Sequence, residues 1–119
     1  MTIFVTGVAG FIGFHVAKAL ITNGEQVVGL DNLNDYYEVS LKEARLSILN
    51  KSHEFSFYKG DISDPEAVQL ILQDNRQINS IIHLAAQAGV RHSLGSPYIH
   101  EKSNIKGLLV VLEAARSLS

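Results

Sequence analysis

Short apolar runs alternate along this chain with stretches whose apolar residues recur every three or four positions. Thr2 to Thr6 is β-branched and apolar with no polar alternation, the pattern of a strand buried on both faces. Glycines follow at 7, 10 and 13. Helical spacing then places Ile12, Val16, Ala19 and Leu20 on one predicted face, and Asn23-Gly24 supplies a stop. Gln26 to Leu30 reads as a second strand ending at Asp31. A polar loop leads to a predicted helix from about Val39 to Asn50, with Leu41, Ala44 and Ile48 as its stripe. Phe55–Tyr58 is a third strand, and Gly60-Asp61 turns the chain. Asp64 and Pro65 suit the N-cap and first position of a helix that buries Val68, Ile71 and Leu72. Ser80–Leu84 is a fourth strand, running into Ala85 and Ala86. Ser96-Pro97 opens a last helix with Ile105, Leu108, Leu109 and Leu112 as its apolar positions.

Strands alternating with helices predict an α/β fold, a parallel sheet covered on both faces. Right-handed crossovers give the strand order 3-2-1-4. The pattern is that of a Rossmann-type sheet truncated before its fifth strand, with residues 1–119 forming one dinucleotide-binding domain. The order reverses between strands 1 and 4, where open α/β sheets bind ligands outside the carboxyl ends. The glycine loop and Leu84-Ala85-Ala86 both fall there.

Composition narrows the class. The chain is 46% hydrophobic and 18% charged, with a net charge of −2 and both signs interspersed. No basic stripe suggests nucleic acid or an anionic membrane, and no apolar run approaches a membrane span. The absence of cysteine excludes disulfides and thiolate chemistry and fits a reducing compartment. No signal peptide is visible, so a cytoplasmic location is expected. His15, His53, His83, His92 and His100 show no metal-ligand spacing.

The chemistry lies in the loops. Gly7-Val8-Ala9-Gly10-Phe11-Ile12-Gly13 reads G-x-x-G-x-x-G between strand and helix. The first glycine permits the turn, the second lets backbone approach a pyrophosphate, and the third lets the helix pack close. Helix N-terminal amides then face the phosphates. A glycine triplet alone serves a tight turn equally well. Asp31, near the spacing of the acid that accepts from an adenosine ribose, moves the balance toward a cofactor. Asn32, Leu33 and Asn34 follow it, and the glycine loop holds no Arg or Lys for a 2′-phosphate. That local charge pattern predicts NAD rather than NADP.

Taken together, Thr-Gly-x-x-Gly-Phe-Ile-Gly, Asp31-Asn32-Leu33, Gly60-Asp61-Ile62 and His83-Leu84-Ala85-Ala86 resemble the extended short-chain dehydrogenase/reductase family. Within it, Asp31 to Tyr37 and His83 to Arg91 are most similar to UDP-glucuronate 4-epimerases. The likeness covers essentially the whole chain and departs at His92, where such enzymes show Tyr. It implies that Gly7, Gly10, Phe11, Ile12 and Gly13 surround the pyrophosphate. Asp31 and Asn32 would hold the ribose, with Asn34 and Asp35 close by, and Asp61 and Ile62 would border the adenine. Leu84, Ala85, Ala86 and Gln87 would line the path to the nicotinamide, with Ser103 near the cofactor. Arg91 suits an anionic UDP-sugar, and equally reads as a solvated loop cation.

The same resemblance implies catalysis by a Ser or Thr ending a fifth strand and a later Tyr-x-x-x-Lys pair. Tyr98-Ile99-His100-Glu101-Lys102 fits that spacing but directly follows strand 4, so it reads as a decoy. No catalytic residue is assigned, and the expectation is a chain that holds NAD without completing the reaction. Strand 4, left as an edge with an apolar flank, leads to the expectation of a homodimer, an unsteady fold or a further part of the protein. Three functions share these residues: a nucleotide-sugar 4-epimerase, a 4,6-dehydratase or decarboxylase, and a non-enzymatic dinucleotide sensor.

Overall fold

In a computed structural model, which describes residues 1–33, 39–85 and 101–118, the four strands form one parallel sheet in the order β3-β2-β1-β4. They are β1 (Thr2–Thr6), β2 (Gln26–Asp31), β3 (Phe55–Lys59) and β4 (Ile78–His83). β1 is buried along its whole length, as its unalternated apolar sequence requires of a central strand. It pairs with β2 from Thr2↔Gln26 to Thr6↔Leu30 and with β4 from Ile3↔Ser80 to Thr6↔His83. Strand β4 starts earlier than its β-branched run implies, because Ile78 is buried and pairs with Thr2 across a register shift.

Successive residues of a strand point to opposite faces, so the sheet divides the core in two. On one face Ile3, Val5 and Val27 pack with Phe14 and Ala17 of α1 (Phe11–Thr22) and Leu46 and Leu49 of α2 (Val39–Leu49). On the other, Phe4, Val28 and Leu30 pack with Val68 and Ile71 of α3 (Pro65–Asp74) and Val110, Val111 and Ala114 of α4 (Gly107–Leu118). A π-helical turn, Glu101–Lys106, leads into α4.

The caps match the sequence reading. The Asp64 side chain accepts from the Glu66 amide at 3.0 Å, with Pro65 in the first helical turn of α3. At the end of α1, Gly24 has φ +86°, its amide reaches Ile21 O, and the Glu25 amide reaches Leu20 O. Those two bonds form a Schellman stop.

Three helices present a different face from the one expected. In α1 the buried residues are Gly13, Phe14 and Ala17, while Ile12 is 63% exposed, Ala19 is exposed, and Val16 and Leu20 are only partly covered. In α2 they are Lys42, Leu46 and Leu49, with Leu41 and Ile48 each 48% exposed and Ala44 exposed. In α4 they are Gly107, Val110, Val111 and Ala114, with Leu108, Leu109 and Leu112 exposed, as is Ile105 in the π-helical turn before it. Close approach sets the rotation in two of these. A Cβ on Gly13 would enter contact with Gly7 O and stand 2.8 Å from Gly7 C, and one on Gly107 would stand 2.9 Å from Ile62 Cγ2. The glycines therefore face inward; Val110, Val111 and Ala114 follow Gly107 at three, four and seven positions on, and Ala17 follows Gly13 at four. No helix among the described residues is long and apolar enough to cross a membrane.

Candidate functional site

The carboxyl ends of β1, β2 and β4 meet at the reversal of strand order. The chain leaves β1 through Gly7, whose φ of +71° is open to glycine at little cost. A Cβ there would lie 2.8 Å from Leu84 C and Ala85 N, so the glycine loop and the segment after β4 touch backbone to backbone. The amides of Gly7 and Val8 both reach Leu30 O, at 2.8 and 3.3 Å, which bends the loop over the end of β2. The Gly10 amide closes on Gly7 O at 3.1 Å, and Gly10 caps α1 without a side-chain bond.

The first intrahelical bond runs from the Phe14 amide to Gly10 O at 2.9 Å. The amides of Phe11, Ile12 and Gly13 stand ahead of it at the positive end of the helix. Phe11 and Ile12 are 66% and 63% exposed. At Gly10 a Cβ would meet, among the described residues, only Gly7 O, at 3.3 Å. Free amides beside a glycine with no side chain could cradle a pyrophosphate, and the residues present fit that group.

Beside the cradle, Asp31 is only 6% exposed. Its Oδ2 accepts from the Ala9 amide at 3.1 Å, and its Oδ1 accepts from the Leu33 amide at 2.8 Å and from Lys42 Nζ at 3.3 Å. The Leu33 bond holds a residue at φ +55°, a left-handed conformation that branched side chains avoid. The carboxylate thus ties the glycine loop, the turn after β2 and helix α2 together. Lys42 is 8% exposed and makes a buried ion pair with it. Arg45, one turn along, donates from Nη1 to Ala9 O at 3.1 Å and carries its guanidinium 6.0 Å from the Phe11 ring centroid.

The sequence reading missed both cations, because it looked for bases only just after Asp31 and in the glycine loop. No base is near in sequence, but α2 delivers one through space. The available signal was the spacing: Lys42, Arg45, Leu46 and Leu49 share one helix face.

Thr6 was also missed. Fully buried, its hydroxyl accepts from the amides of Leu84 and Ala85 at 3.0 and 3.1 Å and lies 2.7 Å from His83 Nδ1. With both lone pairs engaged, the hydroxyl proton points to His83 Nδ1, which assigns the neutral tautomer protonated on Nε2. Burial lowers the pKa of His83 from its ordinary 6.5, in the same sense. This clamp holds the β4 exit against the glycine loop.

Of the other expected residues, Asn32 is exposed beside Asp31 and Leu84 is 37% exposed, while Ala85 is partly covered by the α3–α4 core. Asp61 uses Oδ1 on the Ser63 amide and hydroxyl, at 2.9 and 2.7 Å, and the Gly60 amide reaches Asp31 O at 3.1 Å. Ile62 turns into the core against α4, so any edge it offers to an adenine is backbone. Asn34, Asp35, Ala86, Gln87, Arg91, His92 and Tyr98, and the side chains of Lys102 and Ser103, lie outside the described residues.

Comparison with known proteins agrees with this fold. The profile of the family described as GDP-mannose 4,6 dehydratase matches residues 4–119. A UDP-glucuronate 4-epimerase of Thermodesulfobacterium geofontis is 50% identical over 109 residues, 92% of this chain and 33% of that protein. The UDP-glucuronic acid 4-epimerase of Bacillus cereus, solved with UDP-glucuronic acid and NAD, matches with a TM-score of 0.88 and 36% identity. That match covers 100% of this chain and 37% of that one. The UDP-glucose 4-epimerase of Thermotoga maritima, solved with UDP-glucose, matches at 0.84 and 38% identity over 100% of this chain and 35% of its own. The chain spans about a third of the length of the relatives it matches.

Proposed function

This chain belongs to the GDP-mannose 4,6-dehydratase family, of short-chain dehydrogenase/reductase type, and from that premise we propose that it supplies the NAD-binding half of a nucleotide-sugar 4-epimerase acting on UDP-glucuronate. The observation that carries the reading is the meeting of three features at one switch point. They are the glycine cradle, the buried Asp31 carboxylate, and the Leu84–Ala85 exit clamped to Thr6.

The amides of Phe11, Ile12 and Gly13 would hold the pyrophosphate, and Asp31 the adenosine ribose. Leu84 and Ala85 border the route toward the nicotinamide. The chemistry NAD supplies when bound is reversible acceptance of hydride, which interconverts the sugar C4 alcohol and ketone and so allows either configuration at C4. This chain's own contribution is orientation: a fixed carboxylate, fixed amides and a rigid strand exit set where the reactive end of the cofactor lies.

Two similar enzymes bound to UDP-sugars favour a UDP-sugar substrate, and similarity to UDP-glucuronate 4-epimerases favours the uronate. The second reading, a 4,6-dehydratase, rests on the description of the matching family itself. Product analysis separates them. The longer protein carrying these residues should convert UDP-glucuronate to UDP-galacturonate, whereas a 4-keto-6-deoxy sugar from a nucleotide hexose would replace the first reading with the second. Titration calorimetry tests the cofactor. Asp31→Ala should weaken NAD binding about tenfold or more, a loss of about 1.4 kcal/mol or more; unchanged affinity would remove Asp31 from the ribose site.

A further inference from the structure

We infer that Lys42, on α2, decides how strictly this site selects a cofactor without a 2′-phosphate. The inference rests on the NAD-binding reading and concerns the ribose end of the same site.

An ionised carboxylate accepts about four hydrogen bonds. Asp31 already takes three donors: the Ala9 amide on Oδ2, and the Leu33 amide and Lys42 Nζ on Oδ1. About one place remains, so Asp31 as it stands cannot receive both hydroxyls of a ribose diol. Lys42 can supply the second contact. An ammonium has three donors, and one is spent on Asp31. A further N–H of Lys42 is available to an oxygen at the ribose edge.

Such a donor does not distinguish a hydroxyl from a phosphate oxygen, and its charge favours the phosphate. An acid that ends β2 excludes a 2′-phosphate mainly by repelling it. Here the repelling charge is paired with an ammonium 3.3 Å away, and the two side chains are only 4% and 10% exposed. Water screens such a pair weakly, so a phosphate brought to this edge meets a nearly neutral pair rather than a bare anion. Exclusion of the 2′-phosphate is therefore weaker than Asp31 alone would give, and Lys42 is the residue that relaxes it.

The test uses ADP-ribose and 2′-phospho-ADP-ribose, which probe the adenosine end alone, with the ratio of their dissociation constants read by titration calorimetry. Lys42→Met should raise the ratio of phosphorylated to unphosphorylated constant about tenfold, and Asp31→Asn should lower it by a similar factor. Asp31→Asn with Lys42→Met together restores a neutral pair and should return the ratio to near the original. Lys42→Arg keeps the charge and should keep the ratio.

If Lys42→Met fails to fold because it strands a buried carboxylate, Asp31→Asn with and without Lys42→Met reads the same effect in a background lacking that charge. A ratio unmoved by Lys42→Met, or in that background by its addition, overturns the inference while leaving NAD binding in place. A protein that binds neither probe overturns the NAD-binding reading and the inference with it. Loss of affinity for both probes by one common factor assigns Lys42 a structural role only and also overturns it.

Discussion

Replacing Thr6 with valine removes one hydroxyl and almost no volume, so it isolates the clamp that joins β1 to the exit of β4. The residue is fully buried, and the valine methyl occupies the place of Oγ1. The Ala85 amide, bonded to that oxygen at 3.1 Å, loses its acceptor. The Leu84 amide keeps a second acceptor, Thr6 O at 3.2 Å, and is weakened rather than stranded. His83 Nδ1 loses a partner at a half-buried position. A stranded, part-buried amide such as that of Ala85 costs about 1–3 kcal/mol, and the lost neutral bond to histidine about 0.5–1.5 kcal/mol. The total, about 1.5–4.5 kcal/mol, is a large part of the roughly 5–15 kcal/mol that holds a domain together. It corresponds to a melting temperature lower by roughly 10–20 °C.

Urea unfolding followed by circular dichroism, repeated as a thermal melt, measures the loss. Thr6→Ser keeps the hydroxyl and should lose only about 1 kcal/mol, for one buried methyl. The distinction matters because Thr6 sits in the first-strand core: a packing defect would hit serine harder than valine. The reasoning is refuted if Thr6→Val unfolds at the wild-type midpoint, or if serine proves the more damaging change. Ligand binding should follow stability, since Gly7 and Ala85 are held in backbone contact by the same residue.

The neutral His83 gives the clamp a pH dependence. Its folded pKa lies below the unfolded 6.5, so the stability it contributes is complete above 6.5 and is lost as pH falls through 6.5 toward the folded value. Unfolding free energies should fall between pH 7.5 and 5, and His83→Gln should flatten that part of the profile; an unchanged slope would discard the assignment. At the glycine loop, Gly13→Ala forces α1 away from Gly7 and should cost about 1–3 kcal/mol or more. Gly10, at an ordinary φ of −73° and with Gly7 O at 3.3 Å as the one close atom among the described residues, should accept alanine at a smaller cost than Gly13, about 1 kcal/mol, yet lose cofactor affinity about tenfold, as the methyl fills the cradle. Melts and calorimetry on the two variants should separate these outcomes, and equal effects on both properties would contradict the cradle.

Strands, caps and the order of elements were legible because their causes are local. An unalternated β-branched run such as Thr2–Thr6 suits only a strand buried on both faces. Asp64-Pro65 and Asn23-Gly24 act through atoms within a few residues. Right-handed crossovers together with helices on both faces of an open sheet point to the order 3-2-1-4 and its switch point, so Gly7, Gly10, Gly13, Asp31 and Leu84 could be placed at one end of the sheet from their positions in the chain.

The rotation of each helix could not be read that way. α1 carries apolar residues around most of its circumference, so periodicity does not single out its inner face, and in α4 the spacing of Ile105, Leu108, Leu109 and Leu112 pointed to the wrong side. The contacts of Gly13 with Gly7 and of Gly107 with Ile62 chose the inner face of each, and those pairs meet only when the sheet is assembled. The same turn of α2 that hides Leu46 and Leu49 carries Lys42 to Asp31 and Arg45 to Ala9. The sequence by itself determined an acid at the end of β2 beside a glycine loop. Tertiary structure alone decided that the acid is paired with a buried cation, because the charge near a site depends on distance through space and not along the chain.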